Sequence, residues 1–341
     1  MSKDIVKSKE YQDFIVALVG KIKQTRQNVY QTANRQLVEL YWYIGKSVYE
    51  KIEVAKWGEG IVEKMSGDLH MRLPDMKGFS GQNLWRMKQM YETYKDNSKL
   101  STLLRELSWS SHLHIISKTK TIEEKEFYLR LTVQEKYSVR ELERQIDSGL
   151  FERVVLSMEK VPTSLTQKHP NAPEVFKDVY ILDFLNLSEA HSENDLSKGI
   201  VSNLKNFILE FGKDFAFVGQ EYRIQVGKND YFIDLLFFHR GLRCLVMFEL
   251  KIDDFKPEYL GKLNFYLEAL NRDIRKPDEN PSVGIILCKS KDDEVVEYAL
   301  SRNLSPAMIA EYKIKLIPKK VLQEKLHEYY LLGESSAMKE R

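Results

Sequence analysis

Two cysteines, Cys244 and Cys288, are all that the 341 residues contain. Neither has a cysteine or histidine partner at zinc-ligand spacing. A disulfide framework and a structural zinc site are therefore excluded, and both thiols read as small core residues. Long apolar runs are missing too. Nothing approaches the roughly 20 residues needed to span a bilayer, and the opening MSKDIVKSKEY has no signal-peptide core. The expectation is a cytoplasmic chain with no membrane partner. The 16 glycines never gather into a phosphate-cradling loop. The GEG at Gly58–Gly60 and the GFSG at Gly78–Gly81 match no nucleotide-binding pattern, which excludes a motor or ATPase reading.

A strong excess of one charge is also absent, the net being +2. That small value hides an asymmetry. Residues 1–160 hold 27 Lys and Arg against 22 Asp and Glu, and the remainder 25 against 28. The acidic second part is compatible with a site built of carboxylates, and the basic first part with a surface that touches phosphate. Hydrophobic content of 43% and charged content of 30% suit ordinary cores under a solvated surface, and the length suits two domains.

The segment with most chemistry is YFIDLLFFHRGLRCLVMFELK, Tyr231 to Lys251. Tyr231–Phe238 and Leu245–Leu250 are apolar, aromatic and β-branched, the composition of strands. Between them, Gly241 suits the first central position of a type II′ turn. With Gly241 and Leu242 as the loop, Arg240 faces Arg243 and Asp234 faces Glu249. Directly opposed residues of an antiparallel pair have Cβ atoms about 5 Å apart. Lys251, two residues on, points to the same face, and a one-residue slip would disperse the group. Two carboxylates there suit a divalent cation such as Mg²⁺, with Mn²⁺ as a substitute and the Leu250 carbonyl as a further oxygen ligand. Such an ion activates water and stabilises charge on a phosphodiester transition state. Lys251 is placed to orient the water or neutralise a phosphate oxygen, or, with its pKa lowered beside a metal in a partly buried site, to assist proton transfer. The competing reading is an amphipathic hairpin with surface charges. Against it, the acids interrupt apolar strands, where an unpaired charge is expensive.

The segment resembles the PD-(D/E)xK nuclease superfamily. The whole chain resembles the YhcG-like family through LVELYWYIGKSVYE, WGEGIVEKMSGDLHMRLPDMKGFSGQNLWRMKQMY, LSWSSHLHII, FGKDFAFVGQEYRI, YFIDLLFFHRGLRCLVMFELK and FKPEYLGKLNFYL, from about Leu37 to Leu267. The resemblance implies an α/β restriction-endonuclease-like (PD-(D/E)xK) C-terminal domain behind a mainly α N-terminal domain. It makes Asp234, Glu249 and Lys251 catalytic, and places Glu210, in NFILEFGKDF, beside the metal. Read alone, Glu210 is a charge at a helix end. Lys262 and Tyr266 share a helix face. They stand where relatives show Gln and Tyr, a pair that can approach the metal water and substrate, so the resemblance makes both candidate catalytic residues; read alone Tyr266 is a core residue, and Lys262 is a departure whose role the family pattern does not settle. Gln220, Tyr222, Asn34, Arg35, Trp57 and Gly58 also match recurrent positions. The implied function is a metal-dependent nuclease acting on nucleic acid, DNA first, in DNA processing or defence. The alternatives are a catalytically inactive nucleic-acid-binding or assembly protein of the same fold, and a nuclease directed at RNA. Two-site cutting makes a homo-oligomer plausible.

Along the chain, Tyr11–Lys23, Gln27–Val54, Gly58–Met71, Ser80–Tyr94 and Glu123–Tyr137 carry apolar residues at helical spacing. Ser80 reads as an N-cap, with Leu84, Met87 and Tyr91 as the buried stripe, and Ser138 with Glu141 as a capping box. Residues 1–156 form the expected helical domain, with a helix-turn-helix-like unit as one form it can take, binding nucleic acid or a partner. Most of Trp42, Trp57, Trp85 and Trp109 are expected in its core, and His112 and His114 in structural roles. Residues 157–173, with three prolines, read as a linker and 174–332 as the nuclease domain. Strands are expected at Val179–Leu185, Phe215–Ile224, Ser282–Cys288 and Ile314–Ile317, helices at Leu196–Glu210, Pro257–Asn271, Asp292–Arg302 and Lys319–Tyr330, and 333–341 is a polar, mobile tail.

Overall fold

The computed structural model describes residues 9–54, 58 and 60–339. The chain divides into two compact units, the second beginning at Asp147.

The first unit is helical. The two helices expected before residue 54 are one, Lys9–Tyr49, continued by a π-turn over Glu50–Val54. Polar but helix-permissive residues bridge the expected break at 24–26. Helices Ile61–Arg72, Gly81–Tyr94, Trp109–Lys118, Ile122–Glu135 and Val139–Asp147 follow. Ser80 caps its helix by accepting from the Asn83 N–H at 3.3 Å. Ser138 and Glu141 close the capping box, with the Ser138 N–H donating to Glu141 at 2.7 Å. The core gathers Tyr41, Val48, Val62, Leu84 and Met87. Gly45 permits this packing, because a Cβ there would run into the Met87 carbonyl. The stripe on Gly81–Tyr94 is completed by Met90 and Tyr94 rather than Tyr91, which sits at the rim, edge-on to Trp42 at 5.0 Å. Trp85 and Trp109 pack against the core, and Trp57 lies outside the described residues. His112 is buried with its Nε2 on the Leu104 carbonyl at 2.8 Å.

The second unit is built on a six-stranded sheet: β1 Val179–Ile181, β2 Phe215–Val226, β3 Asn229–His239, β4 Cys244–Leu250, β5 Val283–Cys288 and β6 Ala307–Lys313, in the order β1-β6-β5-β4-β3-β2. The pairs β2–β3 and β3–β4 are antiparallel, and β4, β5, β6 and β1 run parallel. Every residue of β4 and β5 is buried, as expected of strands covered on both faces. On one face Phe207 and Phe211, from helix Leu204–Phe211, pack with Phe237 and Phe248. On the other, helix Tyr259–Ala269 sets Leu263 and Leu267 among residues that include Met247 and Ile286.

Several expectations change here. The strand expected over Val179–Leu185 stops at Ile181, and the helix expected over Leu196–Glu210 is two, Glu193–Ser202 and Leu204–Phe211. The last strand is Ala307–Lys313 rather than Ile314–Ile317: its alanines and Glu311 mute the β pattern in sequence, yet Ala307–Ala310 are fully buried. The expected linker is structured, because Val161, Leu165 and Ala172 belong to the second unit's core and Thr163–Lys168 is a helix. The expected mobile ending is helical as far as the described residues reach, the terminal helix running Lys319–Lys339, since Glu, Ala, Met and Lys are good helix formers.

Candidate active site

The β3–β4 register brings the expected residues together. His239 pairs with Cys244 and Leu235 with Phe248, so Asp234 and Glu249 stand at the next level of the same alignment. The reversal itself differs from expectation. It takes four residues, 240–243, and Arg243 rather than Gly241 holds the left-handed conformation, with φ 50. The His239 ring explains this: its Nδ1 accepts the Leu242 N–H at 2.9 Å. Asn280 then holds the loop from outside, donating its side-chain amide to the Leu242 carbonyl and its backbone N–H to that of Arg243, both at 2.8 Å.

At the open end of the hairpin Asp234 leaves the regular ladder. Its Oδ2 accepts the Leu250 N–H at 2.8 Å, which anchors the carboxylate beside β4. On its other side the β2–β3 ladder pairs Gln220 with Leu235 and Tyr222 with Ile233. Glu221, between them, takes a left-handed φ of 46. That strained residue lies level with Asp234, and such irregularities re-aim neighbouring side chains.

Glu249 is fully buried. Its Oε1 receives two ammonium groups, Lys251 Nζ at 3.2 Å and Lys262 Nζ, while its Oε2 has no hydrogen-bond partner. Lys251 also donates to the Leu250 carbonyl at 2.8 Å and to Glu193 Oε1 at 3.1 Å. Lys262 Nζ sits 5.3 Å from the centre of the Tyr266 ring, itself buried in the core beneath helix Tyr259–Ala269.

Electrostatics separates the roles. Burial, then the neighbouring Glu249 charge, pushes the Asp234 carboxyl up to about 6, against the opposing pull of the Leu250 N–H and the two lysines. Burial alone would lower the Lys251 and Lys262 ammonium pKa values. Glu249 and Glu193 around Lys251, and Glu249 around Lys262, outweigh it and leave both raised. Both ammonium groups therefore stay cationic beside Glu249.

Glu210 is not brought to this group. Its buried carboxylate meets Arg153 Nη1 at 2.6 Å and accepts the Ile181 N–H at 3.0 Å, so it locks helix Leu150–Ser157 to the β1 edge. Gln220 donates to Ser197 Oγ at 2.9 Å, on the face of the sheet that carries helix Glu193–Ser202. Two participants are not evident in the sequence reading. Glu193 receives Lys251 because the Ser192–Asp195 capping box starts a helix there, a signal legible as S-x-x-D. The left-handed Glu221 has no sequence signal of its own.

Among the described residues no cluster of three or more His, Cys, Asp or Glu forms a metal site. What is present is a pair of carboxylates, the Leu250 carbonyl, and one buried carboxylate oxygen lacking a partner. That donor set is all oxygen and suits a hard divalent cation.

Comparison with known proteins places the chain in a family. Residues 173–327 match the family model of the YhcG PDDEXK nuclease domain, and residues 17–153 that of the DUF1016 N-terminal domain. The chain is 30% identical over 355 residues to the protein named "Putative nuclease YhcG" of Escherichia coli (strain K12), covering 93% of each. A crystal structure of a repair endonuclease from Pyrococcus abyssi overlaps 39% of this chain and only 50% of its own, at 18% identity and a TM-score of 0.25, which is too shallow to carry weight. The near-complete YhcG alignment, together with the two family domains in order, shows that this chain belongs to the YhcG family, with a DUF1016 N-terminal domain followed by a PDDEXK nuclease domain.

Proposed function

We propose that the chain is a Mg²⁺-dependent nuclease that hydrolyses phosphodiester bonds in DNA, with catalytic residues Asp234, Glu249, Lys251 and Lys262. The observation that carries this reading is the buried Glu249 carboxylate, gripped on one oxygen by two ammonium groups and unpartnered on the other, beside Asp234. Asp234 and Glu249 would hold the ion, with the Leu250 carbonyl as a third donor. Bound there, a divalent cation supplies Lewis acidity toward water and the phosphoryl oxygens. The remaining chemistry belongs to the chain. Lys251, fixed by Glu249, Glu193 and the Leu250 carbonyl, presents a permanent charge to a non-bridging phosphate oxygen. Lys262 adds a second from the opposite helix, where a neutral amide would give hydrogen bonds without charge. Tyr266 positions Lys262 through its ring face. Glu210 is assigned a structural role with Arg153, outside the catalytic set.

The helical unit, with its modest excess of positive charge, is assigned to nucleic-acid or partner recognition. No described helix is long and apolar enough to cross a membrane. The test is a panel of linear, nicked, branched and single-stranded DNA, with matched RNA, incubated with Mg²⁺ and with Mn²⁺. Cleavage of DNA that is lost in Asp234→Ala and Glu249→Ala supports the proposal. Cleavage of RNA alone moves the substrate to RNA. Binding to nucleic acid without turnover under either metal makes the chain a non-catalytic binding protein.

A further inference from the structure

A cavity of about 630 Å³ lies at the carboxyl ends of β4, β5 and β6, beside the candidate active site. That volume is within the range of ligand sites, and ligands of open α/β sheets bind at that edge. Two chain segments lead into it from the catalytic lysine. Ile252 and Asp253 follow Lys251 and line the cavity, and Lys289 fixes them by donating its backbone N–H to the Asp253 carbonyl at 3.1 Å. Glu193, which accepts from Lys251 at 3.1 Å, stands two residues after His191, another lining residue. The strand registers set Leu250 level with Leu287, and Leu287 with Ala310. Lys289 and Tyr312 therefore stand one and two strands across from Lys251, at about 4.8 Å per strand.

The lining combines two chemistries. Ile252, Ile314, Leu316 and Pro318 supply apolar wall, and His191 an aromatic ring. That ring is pinned: its Nδ1 meets the Ser188 carbonyl and its Nε2 the hydroxyl of the buried Tyr312, both at 2.8 Å. The carbonyl can only accept, so in the neutral ring Nδ1 carries the hydrogen and Nε2 accepts from the tyrosine. Held at both nitrogens, the ring has only its π surface to offer a ligand. Each acid on the cavity wall already has a partner. Glu189 meets Lys315 at 2.5 Å, Asp253 meets Lys256 at 2.6 Å, and Asp254 accepts from Ser290. Lys313 is taken by Glu311 at 2.9 Å. The exposed Lys289 ammonium is left with no hydrogen bond or ion pair among the described residues. An apolar and aromatic wall beside an unpaired cation complements a nucleobase together with its phosphate. A base that enters a cavity has left its stack and its pairing partner.

We infer that this cavity seats one unpaired nucleotide of the substrate strand, next to the phosphate held at Lys251, with its base on His191 and its phosphate on Lys289. The inference rests on the nuclease reading and narrows its substrate to strands with an unpaired nucleotide beside the cut. The test is binding in EDTA, where no turnover intervenes. A short fluorescein-labelled DNA single strand and its blunt duplex are titrated with the full chain, followed by anisotropy across a salt series. His191→Ala should weaken single-strand binding about tenfold and leave duplex binding within about threefold. His191→Phe, which keeps a stacking face but cannot accept from Tyr312, should restore the single strand. Lys289→Ala should lower the single-strand salt slope by about 0.7, the share of one phosphate contact. Single-strand binding indifferent to His191→Ala overturns the inference, as does an equal loss on duplex. So does a His191→Phe chain as weak as the alanine variant, which would make the hydrogen bond to Tyr312 the cause, or an unchanged salt slope in Lys289→Ala. A chain that cuts no substrate yet shows these losses ends the nuclease reading and keeps the nucleotide seat. A chain that cuts DNA without them keeps the nuclease reading and ends the seat.

Discussion

Asp234→Asn should make the metal-free protein more stable while destroying its response to metal. Two carboxylates share the hairpin end, and the Asp234 carboxyl rises from 3.8 to about 6 by burial and then by its proximity to Glu249. At pH 7 the folded state therefore holds an anion that the unfolded chain holds at lower cost. A rise of that size corresponds to about 3 kcal/mol at 1.36 kcal/mol per pH unit. Asp234 is only half-buried, and screening reduces the figure to about 2 kcal/mol.

Asparagine keeps an oxygen for the Leu250 N–H and removes the charge. The sign with pH follows from linkage. Between 3.8 and 6 the folded state binds more protons than the unfolded one, so wild-type stability falls as pH rises through that window. The advantage of Asp234→Asn should be absent below pH 3.8 and complete above about 6. Urea denaturation in EDTA from about pH 4 to about pH 8 measures it, and repetition with Mn²⁺ should stabilise wild type but not the variant. A variant less stable than wild type at neutral pH in EDTA, or equally stabilised by Mn²⁺, would refute the reasoning.

Other outcomes follow from the same contacts. Glu210→Ala should cost about 3–5 kcal/mol by stranding the buried Arg153 charge, whereas Glu210→Gln should leave the Mn²⁺ affinity of the folded protein unchanged by calorimetry; a large loss of affinity would return Glu210 to the metal site. Lys262→Gln removes the ammonium that occupies Glu249 Oε1; Mn²⁺ should bind roughly 3–10-fold tighter, about 0.7–1.4 kcal/mol, with turnover slower, and equal or weaker metal binding would remove Lys262 from the site. Burial, opposed by the Leu104 carbonyl, lowers the His112 pKa from 6.5 to about 4, so this histidine stays neutral when folded and charges when unfolded. Its contribution should fall by about 1.4 kcal/mol per pH unit as pH drops from 6.5 to about 4, and the pH slope of unfolding in His112→Gln should be flatter by that amount.

What could be read before the structure was local. Opposed strands of matched length fix which side chains meet, so Asp234, Glu249 and Lys251 were legible from alternation and the position of the turn, even though the turn chemistry was not. Gly241 offers a positive φ at no steric cost, but the His239 ring accepts the Leu242 N–H and shifts that conformation to Arg243. No propensity at 240–243 carries such a signal. The linker reading failed for a related reason. Proline and polar content at 157–173 describe backbone preference, whereas Leu165 and Ala172 are fully buried by residues distant in sequence. Glu210 is the sharpest case. An acid at a helix end has the same local pattern whether it meets a metal or Arg153, and only the fold supplies the arginine.

The charge balance of the site gives Lys262 a physical rationale. Asp234, Glu249 and Glu193 bring three negative charges and Lys251 and Lys262 two positive, so the group is anionic by one before a cation enters. A single divalent ion turns it cationic by one, which favours an incoming phosphodiester. With glutamine at 262 the same group begins at minus two and reaches only neutrality with one ion. With the proposed cation held there, lysine would weaken the hold on the metal, because it competes for Glu249, and strengthen the hold on the substrate. The two effects act on different steps, so Lys262→Gln should separate them: tighter metal binding together with weaker binding of the nucleic acid.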